Sequence, residues 1–174
     1  SQRAIANLLL VQAVWFACVL GGTLLAWLAT AAYFGVYQWR IGRLQQEWRY
    51  WLPICLIGLL VDGTLGWLGF LQFPRGDQML WPFLPDDLLP NALLPGWLVA
   101  LWLSFATLFL HGLQWLRTRP WLAAACGAVA GPATYYSGAV LHGVTLGITT
   151  EKFLLCLAIL WAIMTPLFGA ICAN

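Results

Sequence analysis

Residues 11–35 read VQAVWFACVLGGTLLAWLATAAYFG, and the fold turns on whether this stretch is one membrane-crossing helix or two. It carries no charge, and apolar sequence continues from about residue 5 to Trp39. A run of about 35 residues is too long for one ordinary span of about 20. The Gly21–Gly22 pair is its one breaker, so the spacing predicts a tight helical hairpin with spans over 5–20 and 23–39. The same region resembles a signal peptide, with Arg3 ahead of the apolar run and ATAA ending at Ala32. A signal h-region is about 7–15 residues long, however, so both spans are expected to be retained. The opening Ser in place of Met is what a trimmed chain would show.

Hydrophobic residues make up 62% of the 174 positions and charged residues 8%. That is roughly a third of the charge of an average soluble domain, too little to cover a water-facing surface, and lipid is the solvent that tolerates so much outward apolar area. The unbroken apolar runs are of helical length rather than alternating segments of about ten residues, which excludes a membrane barrel. The expected fold is therefore all-α, a single integral membrane domain: a polytopic helical bundle with six transmembrane helices, over 5–20, 23–39, 51–72, 95–116, 121–142 and 153–171. In that order Arg3, Arg40, Arg43, Arg49, Arg117 and Arg119 share one side, and only Arg75 and Lys152 the other. The asymmetry predicts both termini in the cytoplasm. Asp77, Asp86, Asp87 and Glu151 fall on the outer side, which agrees. Segment 73–94, with Pro74, Pro82, Pro85 and Pro90, is expected as an outer interfacial loop; the alternative is a lid over an outward-facing site.

Residues 59–66, LLVDGTLG, place Asp62 eleven residues into the predicted third span, about 16 Å deep. An unpaired carboxylate near the bilayer centre costs about 2.5–3.5 kcal/mol, so Asp62 is expected to be protonated, paired or facing a wet cavity. By depth its partners are Gln12 and then His111, the latter through one water. Ser104, Thr107, His111 and Gln114 recur every three or four residues, giving the predicted fourth span one polar face. In GAVAGPATYYSG (127–138), Pro132 breaks the backbone ladder just before Tyr135 and Tyr136. Its glycines fit helix packing, and the break would offer carbonyls to a ligand. His142 is expected to be solvated near the outer end. Of twelve tryptophans, most form interfacial belts, while Trp15, Trp27, Trp102 and Trp161 fall deeper and need indole partners or a ligand.

Cys18, Cys55, Cys126, Cys156 and Cys172 all lie in apolar runs without metal or redox spacing, so reduced packing cysteines and no metal are expected. There is no HExxH, phosphate loop, CxxCH or basic stripe for nucleic acid, and neither an enzyme class nor a cofactor is legible. The candidate site places Asp62, His111, Tyr135 and Tyr136 as catalytic groups between the third, fourth and fifth spans, with Gln12, Trp102 and Thr107 binding ligand. Three readings follow: a lipid-facing enzyme or an accessory subunit of one, a small transporter or ligand-binding membrane protein, or a non-catalytic scaffold. Membrane lipid is the expected partner, and other membrane proteins come second.

The order of these pieces resembles a bacterial inner-membrane family catalogued as domain of unknown function twenty-eight seventy-eight. The stretches that carry the likeness are NLLLVQAVWFACVLGG (7–22), Asp62, PGWLVALWLSFATLFLHGLQWL (95–116), GPATYYSGAVLHG (131–143), and Trp161 with Pro166. The resemblance implies a shared fold but supplies no catalytic residues. The family's association with lipid-modifying genes, such as cyclopropane fatty acid synthases, implies lipid metabolism. The tryptophan content is also similar to that of the tryptophan-rich sensory proteins, but those have five spans where this charge pattern asks for six.

Overall fold

The computed structural model describes residues 2–73, 94–141 and 144–173. Residues 74–93 and His142 lie outside the described residues, and with them the interfacial loop expected over 73–94 and its alternative as a lid. Five α-helices dominate: α1 (Gln2–Val36), α2 (Leu44–Trp67), α3 (Gly96–Ala106), α4 (Pro120–Val140) and α5 (Thr150–Ile171). A π-helical turn, Tyr37–Ile41, ends α1, and two 3-10 turns, Thr107–Phe109 and Gln114–Leu116, follow α3. Two short strands, β1 (Leu71–Gln72) and β2 (Thr145–Leu146), pair antiparallel.

The first helix is two limbs. Gly22 has φ 68° and ψ −175°, outside the helical region and open without strain only to glycine. The amide of Asn7 donates to the hydroxyl of Tyr33 at 2.8 Å. In a straight helix those residues would stand about 39 Å apart, so the chain doubles back at Gly22 as the hairpin reading expects. Both limbs then pack on α3.

Three stretches are long and apolar enough to cross a membrane: Gln2–Ile41, Leu44–Trp67 and Thr150–Ile171. The six separate spans expected from the sequence are not supported. The expected span 95–116 fails because α3 stops at Ala106 after 11 residues, about 16 Å of helix and half a hydrocarbon core. Polar groups hold it short. Thr107 Oγ1 donates back to the Ser104 carbonyl, the Gly112 N–H donates to Asn7 Oδ1, and the Arg117 guanidinium takes the carbonyls of Phe109 and Leu110. Helix α4 has spanning length, but its glycines and prolines with Thr134, Tyr135, Tyr136 and Ser137 leave it out of the stretches apolar enough to cross. It also runs unbroken through Pro132, so the expected break is absent.

Outward faces are apolar: Leu24, Leu60, Val129 and Leu155 are all exposed. Helices α4 and α5 pack most extensively, and glycines on α4 explain why. A Cβ on Gly127 would strike Thr165 and the Trp161 carbonyl, and one on Gly131 would strike the Trp161 ring. At the far end of α2, Gly69 and Gly147 let β1 and β2 close against each other, with the Gly147 N–H donating to the Phe70 carbonyl at 3.0 Å. All five cysteines are free thiols.

Candidate functional site

Helix α2 starts at Leu44, seven residues earlier than the predicted span, which changes the depth of Asp62. The carboxylate lies eighteen residues from the start of the helix and five from its end at Trp67, about 8 Å from the β1–β2 end rather than midway. It is fully buried. Its partners are neither Gln12 nor His111. The Trp102 indole Nε1 donates to Asp62 Oδ2 at 2.6 Å, and the Tyr135 hydroxyl donates to Asp62 Oδ1. A carboxylate of α2 is thereby tied to α3 and α4.

Small residues one turn away make this possible. Gly58, four residues before Asp62 on the same face of α2, leaves the space that the Trp102 ring fills, and any Cβ there would meet the ring. Gly131, four before Tyr135, does the same for Trp161. The two indoles stack, with centroids 5.9 Å apart and planes 10° from parallel. Trp161 Nε1 is buried without a hydrogen bond of acceptable geometry.

These groups line a cavity of about 250 Å³ whose wall is almost wholly apolar. Leu71, Phe73 and Val144 close it at the β1–β2 end, and Leu113 and Leu116 at the other. On α4 the lining runs from Cys126 to Gly138, twelve residues or about 18 Å. Along it Ala130 and Gly138 project little, while the room left by Gly127 and Gly131 is taken by Thr165 and Trp161 of α5. A second, more open groove lies between the first limb of α1 and α4 and shares Trp15, Leu101, Phe105, Ala130 and Thr134 with the cavity.

His111 is elsewhere. It sits in the turn after α3 with Nε2 3.2 Å from Glu47 Oε1, too poorly aligned for a hydrogen bond but close enough for an ion pair. Glu47 is held by the Tyr37 hydroxyl at 2.7 Å and the Arg43 N–H at 3.0 Å. Fifteen residues of α2 separate Glu47 from Asp62, about 22 Å, so no water bridges His111 to Asp62. The polar face expected over Ser104, Thr107, His111 and Gln114 is broken where α3 ends. Ser104 and Thr107 are buried and Gln114 is exposed.

Thr107 belongs to a third cluster. Asn7 Nδ2 donates to Tyr33, Tyr33 and Thr107 share a short hydrogen bond, and Thr107 donates to the Ser104 carbonyl. Gln12 and Tyr136 are exposed and line the open groove rather than the cavity. Of the seven sequence candidates, Asp62, Trp102 and Tyr135 are brought together. His111, Thr107, and the pair Gln12 and Tyr136 stand in three other places.

Sequence reasoning missed Asn7, Tyr33, Tyr37 and Glu47. Thr30, Tyr33 and Tyr37 are buried at intervals of three and four on the second limb, a polar stripe that the spacing alone displays. Asn7 is a lone amide in an apolar run. Glu47 looks from its neighbours like an ordinary acid at a helix start.

A family model described as "Protein of unknown function (DUF2878)" matches residues 4–167, nearly the whole chain. The chain belongs to this family. No curated protein and no solved structure matches it. The family thus establishes kinship, and what the site does rests on its geometry.

Proposed function

We propose that this member of the family is a lipid-metabolism protein of the bacterial inner membrane that draws a single hydrocarbon chain from the bilayer into the cavity beside Asp62 and Tyr135. The observation that carries this reading is the shape and chemistry of the cavity. It extends about 18 Å along α4, close to the depth of one leaflet of a hydrocarbon core of about 30 Å, and is apolar apart from one carboxylate and a few hydroxyls. Transfer of a chain from lipid to such a cavity sacrifices no hydration, and the open groove beside α1 lies against the cavity across a shared wall that includes Trp15 and Phe105. Asp62 and Tyr135 would then present to the bound chain a carboxylate and a phenol that share the phenolic proton.

The placement of the cationic side chains supports cytoplasmic termini. The Arg43 backbone N–H donates to Glu47 at the start of α2, which places residue 43 there, and the Arg117 guanidinium donates to the turn after α3, at the end opposite β1 and β2. Lys152 lies in the first turn of α5, beyond β2.

The cavity is tested by filling it. Among the described residues a Cβ on Gly138 would meet Val144 alone, at 3.9 Å, so Gly138→Leu extends into the cavity it lines. Mass spectrometry of purified protein is expected to find a chain-bearing lipid with the wild type and not with this variant, at closely similar melting temperatures. An unchanged lipid complement would overturn the reading. A scaffold is the second reading, favoured by one observation: both Asp62 oxygens already accept hydrogen bonds from other helices.

A further inference from the structure

We propose that the elbow between α1 and α2 is a binding surface for anionic phospholipid, whose phosphodiesters are taken by the ring-backed guanidinium groups of Arg40 and Arg49. The cavity plays no part in this inference. Residues 37–49 turn the chain from α1 into α2, and hydrogen bonds hold the turn. The Gly42 N–H donates to the Tyr37 carbonyl, the Arg43 N–H to Glu47 Oε2 and the Leu44 N–H to Gln38 Oε1, each at 3.0 Å. The backbone that carries the arginines is therefore fixed before any ligand arrives. Glu47 is the one acid among residues 2–61, and it faces Tyr37 and His111. Arg40, Arg43 and Arg49 are exposed, and none of their guanidinium groups lies within ion-pair distance of a carboxylate among the described residues.

Aromatic rings place two of the three. The Arg40 guanidinium lies over the Trp39 ring, 3.8 Å from its centroid, and that of Arg49 over the Tyr50 ring at 4.9 Å. A guanidinium stacked by one face keeps its N–H donors, which lie in its own plane, free for a ligand. Their fork matches two oxygens of a phosphodiester at once. An ammonium group has neither the flat face nor the fork. Arg117 is the contrast: its guanidinium donates to the carbonyls of Phe109 and Leu110, so it braces the turn after α3.

The flanking residues select a lipid over a soluble anion. Trp39 and Trp48, next in sequence to Arg40 and Arg49, are 74% and 55% exposed. Exposed indoles at the end of a membrane-crossing stretch sit at headgroup depth, where lipid phosphates lie. Helix α2 is such a stretch and starts at Leu44, so the elbow stands where that helix leaves hydrocarbon. A basic residue at this level favours an anionic surface by about fivefold. A zwitterionic head already answers its phosphate with its own ammonium and gains less. The chemistry is that of phosphatidylglycerol rather than phosphatidylcholine.

The test uses full-length protein in nanodiscs of phosphatidylglycerol mixed with phosphatidylcholine, with retained lipids counted by native mass spectrometry. The wild type is expected to retain phosphatidylglycerol over phosphatidylcholine by about tenfold. Arg40→Lys/Arg49→Lys keeps the charge and loses the fork, and its preference is expected to fall to about threefold. Arg3→Lys/Arg119→Lys makes the same exchange at two exposed arginines that stack on no described ring, and is expected to keep the full preference. Equal retention of the two lipids overturns the site, and so does an Arg40→Lys/Arg49→Lys protein that keeps the full preference or an equal loss in both variants. Soluble glycerophosphoglycerol, the same head without chains, is expected to leave the bound lipid in place; displacement would make the ligand a soluble phosphodiester and overturn the lipid assignment. Hexadecane, a chain without a head, is expected to bind all these proteins alike, which separates the elbow from the cavity. The substituted side chains are exposed, so the variants are expected to fold; a circular dichroism melt checks it, and the single variants, each expected to lose part of the preference, give the measurement if the double variant unfolds.

Discussion

Asp62 accepts one hydrogen bond on each carboxylate oxygen, and its two donors differ in what they can do after substitution. Trp102 can only donate, whereas the Tyr135 hydroxyl can donate or accept. An asparagine can turn its carbonyl to Trp102 and its amide to the Tyr135 oxygen, keeping both contacts with no change in size. Asp62→Asn is therefore expected to fold with a near wild-type melting temperature. As a proton acceptor it is spent, and it is expected to fail to restore the lipid profile of a deletion strain. Full restoration would make Asp62 a lock between helices. Leucine is a harsher probe: Asp62→Leu leaves the Trp102 N–H buried and unpaired, and is expected to cost about 1–3 kcal/mol in reversible unfolding. At this scale the sequence showed that Asp62 needed a partner, because its apolar surroundings were plain. It did not show which, since Gln12 and His111 were ranked by depth from a helix start placed seven residues late.

The first helical hairpin owes its closure to Gly22 and to one amide. Asn7 binds the second limb through Tyr33 and the turn after α3 through the Gly112 N–H at 3.0 Å, so three segments meet at a single side chain. A Cβ on Gly112 would come within 2.9 Å of the Asn7 side-chain oxygen, which shows how closely that turn is held. Removing the amide strands a buried N–H, and Asn7→Leu is expected to destabilise the protein by about 1–3 kcal/mol in detergent. Hexadecane binding is expected to persist, because Asn7 lines neither the cavity nor the groove. Loss of binding at temperatures where the variant is folded would show that the hairpin controls the cavity. The hairpin itself was legible, since 35 apolar residues with one Gly–Gly pair admit few arrangements. The length of α3 was not. Its residues are apolar enough to continue, and what stops them is hydrogen bonding from Asn7 and Arg117, remote or downstream in the chain.

Across the whole molecule, the cavity beside Asp62 and the His111 cluster are two separate places joined by the length of α2. One is lined by helices α1 to α5, by β1 and by Val144 just before β2; the other sits among Glu47, Tyr37 and Arg43. The proposed orientation in the bilayer rests on the arginines, and single cysteines in a cysteine-free background test it. A cysteine at Gln45 is expected to resist a membrane-impermeant maleimide in intact cells, and one at the exposed Gln72 of β1 to react; the reverse pattern would invert the topology. Composition by itself determined that the chain is helical and suited to lipid, because outward apolar area on this scale has no other stable solvent. It also determined the hairpin, because span length is a property of bilayer thickness and can be counted along a chain. Only the tertiary structure decided that Asp62 would meet Trp102 and Tyr135 rather than His111. Contacts between helices depend on where each helix starts, on which face Gly58 and Gly131 leave open, and on the termination of α3 after 11 residues. None of these is a periodic or additive property of the sequence; each arises when one helix is placed against another.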